Sequence, residues 1–446
     1  MSFTPVSQLE VWRTLANAEQ LLVGRLAQNA QGVYFQYEQN YLKCSDNLSP
    51  FGLEFTDRLQ KAPSAPHQGL AGVFADSLPD GWGNLLMDRV FRQKGLLPAQ
   101  VTPMDRLAFV GDRGMGALSY RPASDFYSSS QQPDSHPAIN LFELGEQARS
   151  LFEGQTQEVL SALVAAGSSG GARPKAQIYA APGQLDACRT EPLPGDEAWL
   201  VKFTSDHLPL GHEEGLCEAA WLTLAARAGL QVPQWQLLRH SEKGRERHWL
   251  ALKRFDWVTG TTQANAGRLH MHTACGLLDA DFRTPSLDYE DLIKATSLIC
   301  KSPVAGQLQF MRAAFNLFAC NQDDHSKNWA FLQDDQGRWS PAPFYDVTFS
   351  PHPYGEQATA FAGYGKHPPV SALQQLAKAA SFANWKAAQK VMNQVIEPLA
   401  DFAQIARDLG IHKETTALIE KQLNGIWQDN KALLGGGSAH PASAKS

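Results

Sequence analysis

The chain of 446 residues carries 39 Lys and Arg against 45 Asp and Glu, a formal charge of -6, with 43% hydrophobic and 19% charged residues. At about 100–200 residues per unit this length asks for more than one folding unit, and the composition is that of a globular protein, not a disordered one. The mild acidity argues against coating of nucleic acid through bulk charge, because no surplus of cations exists to displace counterions, and leaves open only contact through a local basic patch.

From the N-terminus, residues 21–42 alternate apolar and polar side chains (Val33, Phe35, Tyr37) and predict a strand meander. Asp80 precedes Trp82, Leu85, Leu86 and Val90, a helical spacing of apolar residues that predicts a helix. Residues 113–122 read as a Gly-rich turn running into a strand, so residues 1–121 are expected to form a small α/β subdomain. The stretch 122–137, rich in Pro, Ser and Asp, offers little to bury and reads as a linker. Beyond it, 141–152 and 156–166 are helical in pattern, and a Gly/Ser turn at 167–172 leads into a strand at 176–180. A short apolar strand at 199–203 is interrupted by one charge, Lys202; an amphipathic helix follows at 213–229, with Gly229 as its C-terminal cap. Residues 249–255 are a further strand, and helices dominate from about residue 289, broken by the polar stretch 321–328 and the proline-bounded stretch 341–353. The Gly- and Ser-rich tail 435–446 is expected to be disordered.

Six cysteines (Cys44, Cys188, Cys217, Cys275, Cys300 and Cys320) lie far apart with no CxxC pair, so neither a zinc framework nor a disulfide scaffold is expected. The opening residues lack the basic and apolar regions of a signal peptide, and no run approaches the ~18 apolar residues of a membrane span. The expectation is a cytoplasmic protein with reduced thiols and no membrane contact.

Four local features carry chemistry. Closely spaced glycines at Gly167, Gly170 and Gly171 allow backbone N–H groups to converge on an anion, although no P-loop pattern is present and the segment alone reads as a surface turn. Lys202, inside an apolar strand, needs a partner because an unpaired buried ammonium costs several kcal/mol. ATP phosphates and a carboxylate from the next helix, Glu218, would satisfy it; a solvent-facing lysine on an edge strand is the competing reading. Residues 321–328 place Asp323 five positions before Asn328, the D-x-x-x-x-N arrangement of kinase catalytic loops, with Asp324, His325 and Lys327 between them. Phosphoryl transfer needs a carboxylate to take the acceptor proton and an oxygen ligand for Mg2+ on one rigid loop. Finally, Asp346 stands alone within an aromatic, proline-bounded segment, where it suits a second metal ligand or a plain turn. Singly these features are weak. Their serial order is that of a protein kinase, although the GxGxxG, VAIK, HRD and DFG spellings are absent.

At these residues the sequence resembles the HipA family of serine/threonine kinase toxins from bacterial toxin–antitoxin systems. The resemblance rests on SSGGARPKA (168–176), WLVKF (199–203), LKRFD (252–256), NQDDHSKN (321–328) and PFYDVTFSP (343–351), with SLPDGWGNLLMDR (77–89) and DRLAFVGDRGMGAL (105–118) near the N-terminus. It implies an α+β, two-lobed, protein-kinase-like (HipA-like) fold with a small N-terminal α/β subdomain, an N-lobe-like region at 138–255 and a mostly helical C-terminal lobe at 256–434. It also implies ATP and Mg2+ as cofactors. Asp323 would be the catalytic base, assisted by Lys202, His325 and Lys327, and Asn328 and Asp346 would hold the metal. ATP would meet Ser168, Ser169, Gly170, Gly171, Ala172, Lys202 and Glu218, with Arg254, Phe255 and Asp256 at the adenine hinge. Ser168 or Ser169 would be autophosphorylated, a change of about -1.5 to -2 in charge that expels the loop. The implied target is a translation factor or an aminoacyl-tRNA synthetase, and the implied partner is a small helix-turn-helix, HipB-like antitoxin through which alone the protein meets DNA. The alternative is a catalytically silent, kinase-shaped co-repressor.

Overall fold

The computed structural model describes residues 3–123, 139–156, 161–165, 170–242, 245–260 and 266–435. Most of the expected linker, Ser168 and Ser169, and the tail beyond Gly435 lie outside the described residues.

The N-terminal part is a five-stranded antiparallel sheet in the order Gln60–Lys61, Gly32–Tyr37, Gln20–Asn29, Gln8–Thr14, Leu118–Arg121. The expected meander stops at Tyr37. Residues Gln39–Cys44 form a helix, whose buried Tyr41 returns four positions later to stack on Tyr37 with ring centroids 5.9 Å apart. Helix Gly81–Gln93 follows, burying Trp82, Leu86, Met87, Val90 and Phe91 at helical spacing. In the expected helix at 156–166, the described helical residues are Ser161–Ala165, with 157–160 outside the described residues.

A second antiparallel sheet has the order Lys175–Ala180, Glu197–Lys202, Arg245–Lys253, Trp235–Glu242. Its register sets Lys202 opposite Lys175 on one side and Leu250 on the other. The strand expected to reach residue 255 ends at Lys253, which leaves Arg254 and Phe255 in the connection to the rest of the chain. Helix Glu214–Arg227 differs from the expected amphipathic one: its buried residues include Leu216, Glu218, Ala220, Trp221, Leu222 and Leu224, which lie all around it. The reason is its position between the Arg245–Lys253 strand and helix Phe402–Leu409, which leaves solvent mainly to its last turn.

The C-terminal lobe packs helices Tyr289–Ile299, Pro303–Phe318, Val370–Ala379, Trp385–Ile396 and Lys413–Asn430 around Phe310, Phe315 and Trp329. The polar residues 321–328 run from helix Pro303–Phe318 into strand Ala330–Gln333, the middle of a three-stranded sheet with His270–Thr273 and Trp339–Pro341. The N-terminal sheet is tied to this lobe by buried polar contacts. Arg13 donates to the Gln333 side chain and to the Asp334 carbonyl, both at 3.0 Å. Asp76 stands 2.6 Å from His272 Nδ1, whose Nε2 lies 2.9 Å from the Ser49 hydroxyl. Among the described residues no helix is long and apolar enough to cross a membrane.

Candidate functional site

Strand Glu197–Lys202 delivers Lys202 to the interior, where an ammonium demands anionic partners. It finds two: Nζ donates to Glu218 Oε1 at 2.6 Å and to Asp346 Oδ1. Burial alone would lower the lysine, but Asp346 and Glu218 outweigh it and hold the ammonium above the usual lysine range. Burial likewise opposes ionisation of Asp346, and Lys202 and Lys175 overcome it, so this carboxyl stays well below the usual carboxylate range. Asp346 has φ +55°, a left-handed backbone that Asp tolerates better than most residues.

The loop after helix Pro303–Phe318 divides its two neighbouring aspartates. Asp324 is buried: Oδ1 accepts the N–H groups of Ala358 (2.7 Å) and Thr359 (3.1 Å), and Oδ2 accepts the Tyr289 hydroxyl at 2.5 Å. Burial pushes its carboxyl up to about 7. Asp323, one residue earlier, leaves 68% of its side chain exposed, while its N–H donates to Ser350 Oγ at 3.2 Å. One aspartate thus fixes the loop and the other faces out of it. Asn328 Nδ2 donates to the Asp323 carbonyl at 2.7 Å, which leaves the amide oxygen as the acceptor end. His325 Nε2 is 3.9 Å from Asp323 Oδ1.

The Gly-rich turn is held by a residue from the N-terminal part. Asp80 occupies the N-cap position of helix Gly81–Gln93 without capping it. Its carboxylate instead accepts the Gly171 N–H and lies 3.1 Å from Lys327 Nζ. Beside it, the Trp82 N–H donates to the Gly171 carbonyl at 3.1 Å and Trp82 Nε1 donates to the Lys175 carbonyl at 2.8 Å. Gly81 has φ +27°, and a Cβ there would come within 2.6 Å of the Ala172 backbone, so only glycine permits this approach. Lys175 Nζ donates to the Gly170 carbonyl.

Lys202, Asp346, Asn328, His325, Lys327, Gly170, Gly171, Arg254 and Phe255 line one cavity of about 110 Å³. Leu200, Leu252, Met115 and Met271 supply its apolar wall. Asp323 lies on an adjoining groove of about 580 Å³, and His325 lines both. Asp256 departs from the expected place at the hinge. It is fully buried away from the cavity, bonded to Arg254 Nη2 at 2.5 Å and to the Gly116 N–H at 2.6 Å. Arg254 Nη2 also donates to the Gly114 carbonyl at 3.1 Å, so this ion pair fastens the Gly-rich segment of the N-terminal part to the hinge. Ala172 packs on Gly81 and Glu218 stands behind Lys202; neither lines the cavity. Ser168 and Ser169 are outside the described residues. Sequence reasoning passed over Asp80, Lys175, Asp76 and Tyr345, which also line the cavity. For Lys175 a signal existed, a second cation directly after the glycine turn; for Asp80 the only sequence signal was that of an ordinary helix start.

The HipA-like C-terminal domain matches residues 167–418 and the HipA N-terminal domain matches residues 15–121. Among solved structures, a chain of the Shewanella oneidensis MR-1 toxin–antitoxin complex of HipA, HipB and operator DNA is similar in fold. That likeness covers 95% of this chain and 98% of the other, with a TM-score of 0.67 and 16% identity. The Helicobacter pylori proinflammatory kinase CtkA aligns over 53% of this chain and 87% of its own, with a TM-score of 0.35 and 12% identity. No curated protein sequence matches the chain.

Proposed function

We propose, given that this chain belongs to the HipA family, that it is an ATP- and Mg2+-dependent kinase which phosphorylates a Ser or Thr hydroxyl of a translation-related protein, such as an aminoacyl-tRNA synthetase. In this reading it is the toxin of a pair, bound by a small helix-turn-helix, HipB-like antitoxin that makes the contact with DNA. The observation that carries the kinase reading is the contact of buried Lys202 with buried Glu218 and with the half-buried Asp346, on the cavity that Asn328 also lines.

The donors fit the proposed groups. Among the described residues no cluster of three or more His, Cys, Asp or Glu is placed to hold a metal by itself. Asp346 and Asn328 offer two hard oxygens, and Mg2+ takes one or two protein ligands together with phosphate oxygens and waters. Asn328 and Asp346 would hold the ion, which when bound supplies charge neutralisation between phosphates. Lys202, kept in place by Glu218, offers its ammonium to phosphate oxygens, and the Gly170–Gly171 turn lies on the same cavity. Leu200, Leu252 and Met271 provide the apolar surface that an adenine ring needs, beside the backbone of Arg254 and Phe255. Asp323, exposed on the adjoining groove and held by Ser350 and Asn328, orients the acceptor hydroxyl and takes its proton.

The test is Asp323→Ala in the full-length chain. Phosphoryl transfer is expected to fall at least a hundredfold, about 2.7 kcal/mol of transition-state stabilisation, with Mg-ATP binding retained. Undiminished transfer refutes the assignment of the base. Mass spectrometry of the wild-type protein after incubation with Mg-ATP is expected to find phosphate on Ser168 or Ser169. A wild-type protein with neither a Mg-ATP-dependent thermal shift nor phosphate would belong instead to the silent co-repressor class.

A further inference from the structure

Helix Pro303–Phe318 carries a buried cation that the nucleotide cavity does not use. Arg312 is 3% exposed, lines neither that cavity nor the adjoining groove, and pairs with no carboxylate among the described residues. A guanidinium withdrawn from water without a counter-charge is costly, so its place in the fold needs a reason other than burial. Its hydrogen bonds supply one. Nη1 donates to Gln309 Oε1 at 3.1 Å, one turn earlier on the same helix, and Nη2 donates to the Ala342 carbonyl at 2.7 Å. The guanidinium carbon also lies 5.4 Å from the centroid of the Phe344 ring. Ala342 and Phe344 both belong to the segment that leads into Asp346. The same segment is tied to residues just beyond the catalytic loop: the Ala342 N–H donates to the Ala330 carbonyl at 2.8 Å, Phe344 stacks on Trp329, and the Tyr345 hydroxyl donates to the Lys327 carbonyl at 2.6 Å. Arg312 adds a direct link from the helix that enters that loop.

We propose that Arg312 is a positioning residue for the metal site, a strut that sets the spacing between the loop bearing Asn328 and the segment bearing Asp346. Two ligands on separate segments give an ion its geometry only while the segments keep one register, and Mg2+ demands near-ideal octahedral geometry. A guanidinium presents its donors in a rigid planar fork, and here the fork joins helix and segment at two points, which the flexible ammonium of a lysine does less well. A displacement of about 1 Å at a reacting site can cost about a hundredfold, so a strut out of reach of the ligand still governs its binding. The inference rests on the kinase reading above and deepens it: Arg312 lies off both cavities and acts through Asp346.

Calorimetric titration of the full-length protein with a non-hydrolysable ATP analogue, once with Mg2+ and once with a chelator, gives the factor by which the metal tightens nucleotide binding. Arg312→Met is expected to shrink that factor by about tenfold or more, with the metal-free affinity within about twofold of wild type. Arg312→Lys keeps the cation and one donor, is expected to lose about threefold, and carries the test should the methionine variant fail to fold. An unfolded fraction lowers the binding stoichiometry and leaves both constants as they are, so a merely structural arginine does not move the factor. A factor within about twofold of wild type in every variant that folds overturns the proposal, as does a loss of metal-free affinity equal to the loss with metal. Failure of the kinase reading shows differently, as no nucleotide binding by the wild-type protein under either condition. In that case hydrogen exchange at the Phe344 and Asp346 amides decides: faster exchange in the variants, with the Val201 amide unchanged, supports the strut, and equal exchange overturns it.

Discussion

Replacement of Asp80 tests whether the N-terminal part belongs to the nucleotide site. The carboxylate accepts the Gly171 N–H and pairs with Lys327 at 3.1 Å, while giving nothing to its own helix. Asp80→Ala therefore removes two charge-assisted contacts without uncapping helix Gly81–Gln93. Such contacts are worth about 1.5–3 kcal/mol each when well buried. Lys327 keeps a second favourable place over the Phe282 ring at 4.3 Å, which puts its loss at the low end. The turn also keeps both Trp82 hydrogen bonds, so the loop is loosened and not released. A net withdrawal of about 2 kcal/mol corresponds to roughly thirtyfold weaker Mg-ATP binding, if the turn must be ordered to meet phosphate. Asp80→Asn still accepts from Gly171 but no longer balances Lys327, and is expected to lose about tenfold. Calorimetric titration with Mg-ATP measures the affinity, and hydrogen exchange over residues 170–175 reports the loop. Affinity within twofold of wild type for Asp80→Ala, or tighter binding, refutes the reasoning; the second outcome would mean that the carboxylate competes with phosphate.

Lys202→Met would leave Glu218 and Asp346 facing each other without their cation. Breaking a buried pair in this way typically costs about 3–5 kcal/mol, read as a lowered urea midpoint at pH 7. The wild-type contribution from Asp346 should be present above the ordinary carboxylate pKa and vanish as pH falls through its depressed value; in Lys202→Met acid should instead relieve the repulsion. Parallel pH profiles for the two proteins would count against the contact. Asp324 carries the opposite sign. Its carboxyl is raised to about 7, so between roughly pH 4 and 7 the folded state binds a proton that the unfolded state has lost, and stability falls as pH rises. Three units correspond to at most about 4 kcal/mol, and Asp324→Asn should flatten that slope in urea titrations at pH 5 and pH 8. An unchanged slope would show that the proton resides elsewhere.

What could be read from the sequence is what stands out against its own neighbourhood. Lys202 is a charge inside WLVKF and residues 321–328 are a polar run directly after an apolar helix, so each violates its local pattern and asks for a chemical reason. Glu218 was found only through Lys202, one strand–helix step later. Asp80 obeys its local pattern, an acid before a helix, and its actual partners are 91 positions away at Gly171 and farther still at Lys327. Asp256 illustrates the converse. The RFD spelling placed it beside the hinge, yet two oppositely charged side chains two residues apart satisfied each other and turned inward with the Gly116 N–H. Helix Glu214–Arg227 differs from the expected amphipathic one for a related reason: Glu214 meets Arg173 at 2.8 Å and Glu218 meets Lys202, so both charges are paired inside.

These internal pairings explain why the cavity is small for the ligand proposed. Pockets for drug-sized ligands span about 300–1,000 Å³, against about 110 Å³ here. The difference is made by groups that hold one another: the ion pairs of Lys202 with Asp346 and Lys327 with Asp80, and the hydrogen bond of Lys175 to the Gly170 carbonyl. A triphosphate would offer Lys202 an anion in place of Asp346 and Lys175 one in place of a carbonyl, with Lys327 kept on Asp80, and a divalent cation would offer Asp346 a replacement for Lys202. Neither ligand alone balances the exchange. Phosphate without the cation brings negative charge toward Asp346, and the cation without phosphate leaves Lys202 with Glu218 alone. Nucleotide and metal should therefore bind with positive cooperativity, each tightening the other by the same factor. Independent binding of ATP and Mg2+ in a two-dimensional titration would show that these carboxylates and lysines do not exchange partners.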